Sequence, residues 1–155
     1  MKEVTLTTEK VLGAHNIIGQ AKYSKLDDGD KIKVWKIARM LKPIADKFRE
    51  DSQDAAQKMK PSEDFDERWQ KAQAFEQMQK ANEDMSKAPI GAAEYFEFVR
   101  EFQSYQRLVD GAVSEFAKKE VTLSIDTLSE DAFGKLLASN DWTMQQVTDI
   151  DFIIG

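Results

Sequence analysis

Between residues 30 and 120, apolar side chains return every third or fourth position, the spacing of one helical face. Val34, Ile37, Leu41, Ile44 and Phe48 form the first such run, and Tyr95, Phe98, Phe102, Tyr105, Val109, Ala112 and Phe116 the last. Heptad spacing of this kind predicts helices packed lengthwise, as in a coiled coil. Between these runs, Phe65, Trp69, Ala72, Phe75, Met78, Ala81 and Met85 predict a further helix that extends to about residue 86. Lys60-Pro61-Ser62 divides it from the helix over 31–60, because Pro61 disfavours helical geometry at Lys60 and Ser62 can cap a new first turn. Lys87-Ala88-Pro89-Ile90-Gly91 then separates it from a helix over 92–119. Pro43 lies inside the 31–60 helix and removes the hydrogen bond to the Arg39 carbonyl, which predicts a bend. Connections this short favour antiparallel neighbours. Asp51 stands where the next apolar residue of the first run belongs, so residues 51–75 are expected to form a looser, projecting end.

Strict alternation brackets this helical stretch. Val4 and Leu6 alternate with Glu3, Thr5 and Thr7, and Val121, Leu123 and Ile125 alternate with Thr122, Ser124 and Asp126. An isolated strand leaves its backbone unsatisfied, so residues 2–7 and 121–126 are expected to pair. Thr7 or Thr8 caps a small helix carrying Val11, Leu12, Ala14 and Ile18 to about Tyr23. Residues 24–30 turn and cap the next helix with acidic groups where its dipole favours them. Ser129 caps a short helix with Phe133, Leu136 and Leu137, and Thr143 with Gln146 has capping-box spacing. The expected fold is mainly α with a small β element: one domain over 1–155, with a helical bundle or long antiparallel hairpin over 31–119, a strand pair, and short helices over 129–155.

Composition narrows the chemistry. The 155 residues include no cysteine, which excludes disulfides, thiolate metal sites and thiol nucleophiles. No run approaches the roughly 20 apolar residues of a membrane span, and the first residues lack an apolar leader core. The expectation is a soluble cytoplasmic protein with no membrane partner. The net charge is −6, and residues 88–155 carry twelve acidic groups against five basic ones. That field disfavours nonspecific binding of nucleic acid or anionic lipid by the C-terminal part.

Few residues invite catalysis. His15 is the only histidine, with no serine assignable to it, and reads as a half-buried helix residue. Asp27-Asp28-Gly29-Asp30 lacks the spacing and closing glutamate of a calcium loop and reads as a turn with a helix cap. Glu94, Glu97 and Glu101 follow one helical flank without an accompanying Glu-x-x-His and read as solvated. No catalytic residue, metal, cofactor or small-molecule substrate is therefore expected.

Two surfaces invite binding. Phe65, Trp69, Phe75 and Met78 would form a partner-binding patch if their helix has only one neighbour. Lys31, Lys33, Lys36, Arg39 and Lys42 cover the arc opposite Val34, Ile37 and Leu41, with Trp35 beside them, a combination able to contact phosphate and stack on a base. The tryptophans and phenylalanines are otherwise expected at seam positions in the core. Residues 149–155 alternate acidic and bulky apolar groups and could dock in a partner's groove, although such an end more often packs on its own domain.

The order of elements, together with Glu97-Phe98-Val99-Arg100-Glu101-Phe102 leading through Lys118-Lys119-Glu120-Val121-Thr122-Leu123 into a strand and short helix, resembles a family of small tailed-phage and prophage proteins of unknown function. The resemblance implies an accessory or virion-assembly role, in the host cytoplasm or the virion, with no catalytic residues to carry over. The sequence thus points to a non-enzymatic protein-interaction or assembly factor, acting on a protein partner or by self-association. The alternative is a nucleic-acid-associated protein that uses residues 31–42.

Overall fold

A computed structural model describes all residues from Met1 to Gly155. It is mainly helical with one two-stranded antiparallel sheet. The strands are β1 (Lys2–Thr7) and β2 (Glu120–Ile125), and the helices are α1 (Thr8–Gly19), α2 (Asp28–Lys58), α3 (Phe65–Lys80), α4 (Ala92–Lys118), α5 (Glu130–Ser139) and α6 (Met144–Ile150). The chain divides into two compact units, one formed by residues 1–51 and 114–155, the other by residues 52–113.

In the first unit the alternating segments pair as their spacing predicts, with Val4 opposite Leu123 and Leu6 opposite Val121. Thr5 and Thr122 face each other across the outer side, their hydroxyls 3.0 Å apart. Two strands alone are marginally stable in water. The apolar side of this pair is covered by Val11, Ala14, Ile18, Val34, Ile37 and Leu41 from α1 and α2, all buried. Thr7 caps α1 by accepting the Lys10 amide. That helix ends at Gly19 rather than continuing to Tyr23, whose phenol instead donates to the Ile18 carbonyl, an acceptor of the last turn that also takes the Ala21 amide. The buried part of this ring raises its pKa above the usual tyrosine value, because desolvation disfavours the phenolate.

Asn140 fastens the segment after α1. Its amide accepts from the Lys22 backbone N–H at 2.8 Å and donates to the Lys22 carbonyl at 3.1 Å, treating that peptide as a strand neighbour would. Ser129 and Thr143 cap α5 and α6, and Thr143 with Gln146 closes both hydrogen bonds of a capping box. The C-terminal residues pack on their own unit. Ile150 and Ile153 are fully buried, and Ile154 forms a parallel bridge with Leu128.

Helix α2 begins at Asp28, three residues before the expected start, because Asp27 caps it. Asp27 Oδ1 accepts the Asp30 amide at 2.8 Å, which places Asp28 and Asp30 inside the first turn. Pro43 lies inside one continuous helix.

The second unit is held by α3 against α4. Phe65 pairs with Phe98, Phe102 and Tyr105, while Phe75, further along α3, stacks on Tyr95. Contacts that run forward on α3 and backward on α4 make the two helices antiparallel. Tyr105 donates its hydroxyl to the Ala56 carbonyl at 2.6 Å. Ser62 does not cap α3; it donates to Asp64 Oδ1 at 2.6 Å, and that hydrogen bond holds the Asp64 carboxyl below its ordinary pKa. Nor does α3 reach residue 86. Asn82 adopts a left-handed backbone (φ 51°), the Glu83 amide returns to the Met78 carbonyl and the Asn82 amide to the Gln79 carbonyl. This pair of bonds closes the helix at Lys80. Met85 then begins a separate 3-10 turn.

Candidate interaction surface

The stripe of α3 is mostly covered by its own unit. Phe65 is fully buried, its ring centroid 4.8 Å from that of Tyr105 and 5.3 Å from that of Phe98. Phe75 is buried 4.6 Å from Tyr95. Of the four residues expected to bind a partner, only Trp69 and Met78 keep partial exposure. Phe65 and Phe75 are therefore intramolecular anchors. Helical spacing marks an apolar face but carries no information about what covers it.

Shallow grooves lie around this cluster. One, of about 300 Å³, is bordered by Met59, Pro61, Arg100, Ser104, Tyr105 and Leu108. Trp69, Phe102 and Tyr95 border another, of about 230 Å³. Leu108 and Phe96 are each 60% exposed, so α4 also carries aromatic and aliphatic groups outside its seam. Glu101 pairs with Arg68, whose guanidinium stands 5.5 Å from the centre of the Phe98 ring. Glu94 and Glu97 remain exposed beside it. No group of three or more His, Cys, Asp or Glu side chains is placed to hold a metal ion.

On α2 the structure separates the five cations by their partners. Lys31 lies 3.8 Å from Asp28, Lys33 4.0 Å from Asp30, and Lys42 2.6 Å from Asp46. The hydrogen bond from Lys42, reinforced by Arg49, holds the Asp46 carboxyl below its ordinary pKa. Lys36 and Arg39 make no ion pair, and the Arg39 guanidinium lies 5.2 Å from the Trp35 ring centre. Trp35 is not a seam residue: it is 57% exposed, and Ile32, one turn before it, is 52% exposed. Ile32, Trp35, Lys36 and Arg39 follow the i, i+3, i+4, i+7 spacing of a single helical stripe. This stripe faces away from Val34, Ile37 and Leu41, which are buried. Ile32 escaped the sequence reading because it lies outside the heptad. Its signal was an apolar residue one turn from a tryptophan on the charged arc.

His15 is half-buried in α1. No helix is long and apolar enough to cross a membrane. No family model, curated protein or solved structure matches the chain.

Proposed function

We propose that this protein is a non-enzymatic protein-binding or assembly factor whose principal contact surface is the outward stripe of α2. The observation that carries this reading is the pairing of Trp35 with Ile32, both more than half exposed on a helix whose opposite face is buried in the core. Large apolar groups side by side in water favour association, and tryptophan and arginine are both among the residue types enriched where binding energy concentrates at interfaces. The groove beside Leu108 supplies a second, smaller surface. The phage-family resemblance extends the proposal to a virion-assembly or accessory role, which a neighbouring tail or portal gene would support.

Nucleic-acid association is the second reading, favoured by Lys36 and Arg39 beside Trp35. Its electrostatic basis is reduced, since Lys31, Lys33 and Lys42 already have carboxylate partners. The test is purification of the full chain from the cells in which it is native, beside Trp35→Ala and Leu108→Ala variants. A stoichiometric protein partner, lost with Trp35→Ala, is the expected result. Partner-free protein, or salt-sensitive nucleic acid in place of a protein, would overturn it.

A further inference from the structure

Charge on the α2 stripe points to the chemistry of what covers it, and the argument rests on the interaction reading above. Ile32 and Arg39 are seven residues apart, about 10 Å along the helix. Within that length Trp35 and Ile32 supply apolar area, and Lys36 and Arg39 are the cations without a carboxylate. The central carbon of the Arg39 guanidinium lies over the Trp35 ring. The N–H groups of a guanidinium over an aromatic ring remain suited to grip a carboxylate with two parallel hydrogen bonds.

Three classes of occupant meet this surface differently. A second copy of the chain, related by a twofold axis that buries Ile32 and Trp35 against themselves, would bring Lys36 and Arg39 of both copies together, because such an interface presents the same patch twice. A nucleic acid or an anionic membrane extends its negative charge well beyond one turn of helix. Here Asp28 and Asp30 stand before the free cations, and Asp46 and Glu50 after them, on a chain of net charge −6. A short segment with one bulky apolar side chain and one or two adjacent carboxylates meets only the part of the stripe that attracts it.

We propose that the outward face of α2 binds an acidic segment of another protein, with an apolar side chain of that segment over Ile32 and Trp35 and its carboxylates on Lys36 and Arg39. The test uses the full chain and a displayed library of random 12-residue peptides. Selected peptides are expected to be acidic and to carry a bulky apolar residue. A labelled peptide from the selection should bind at least tenfold more weakly to Trp35→Ala and to Lys36→Glu/Arg39→Glu, and lysine in place of its acidic residues should restore binding to the charge-reversed variant. Unchanged circular dichroism of both variants would establish that they fold. The proposal is overturned by selection of no peptide, by selected peptides without negative charge, or by full affinity in the charge-reversed variant. Sedimentation that detects a dimer lost with Trp35→Ala, or duplex DNA or phosphatidylserine vesicles bound through Lys36 and Arg39 in preference to the peptide, would also overturn it. Binding lost with Trp35→Ala but kept after charge reversal would leave the interaction reading standing with a neutral partner and remove only the acidic one.

Discussion

The two compact units hold themselves together by different means. The first distributes its core over many aliphatic side chains from several of its elements, among them Val11, Ile18, Ile37, Leu41, Ile125, Leu136, Ile150 and Ile153, each essentially without solvent contact. The second gathers its core around one ring, Phe65, against which Trp69, Phe98, Phe102 and Tyr105 are arranged. Aromatic pairs contribute about 0.5–1.5 kcal/mol each beyond the area they bury, so a single central ring gathers several such terms. Trimming one side chain of the first core still costs about 2–5 kcal/mol but leaves most of its contacts in place, whereas truncating the hub of the second removes all of these ring contacts at once.

The sharpest way to break this comparison is Phe65→Ala. A cost of about 3–5 kcal/mol is expected in chemical denaturation. Amide exchange should accelerate in α3 and in the facing part of α4, while the β1 and β2 amides keep their protection. Uniform acceleration would mean that the two cores stand or fall together. Asn140→Ala tests the other side, because it leaves the Lys22 peptide without its two partners in a unit whose apolar core is untouched. Loss of about 1–3 kcal/mol is expected, with exchange quickened first around residues 20–27.

Acid provides a gentler contrast. The folded pKa of Asp46 is depressed, first by the hydrogen bond from Lys42, so its contribution is present above the unfolded value of about 4 and is lost as pH falls through the folded value. Asp46→Asn should flatten the acid limb of the stability curve below about pH 4, by a small amount because the pair is exposed. Asp64, in the second unit, is held down by the Ser62 hydroxyl, and Ser62→Ala should raise its pKa in an NMR titration. Smallest of all is the expected effect of Trp35→Ala on thermal unfolding, within about 0.5 kcal/mol. A larger loss would show that the ring supports the fold and would remove it from the contact surface.

Most of the fold was legible because local chemistry and global packing agree. Alternation at Val4 and Leu6, and at Val121 and Leu123, identified both strands and their pairing, and Thr143 with Gln146 announced α6 through its cap. The end of α3 was not legible, since Ala81 and Met85 continue the apolar spacing past the point where the left-handed Asn82 backbone closes the helix. Similarly, three aspartates near the start of α2 all suit a helix cap, and only geometry selects Asp27. At the candidate surface, the cations and Trp35 were visible from composition and arc. Their separation into paired and unpaired groups required distances, and Ile32 lies off the apolar seam that the heptad spacing marks.

The register of the strand pair sets an order on folding. Lys2 aligns with Ile125, so the first strand made by the ribosome waits for a partner more than a hundred residues away, and all of residues 52–113 lie within the intervening loop. Closing a loop of that length carries an entropy cost that grows with the logarithm of its size. Any structure already formed inside the loop shortens its effective length. A chain that first closes the Phe65 cluster therefore brings β2 to β1 sooner than one that does not, and refolding speed becomes a property of residues outside the sheet.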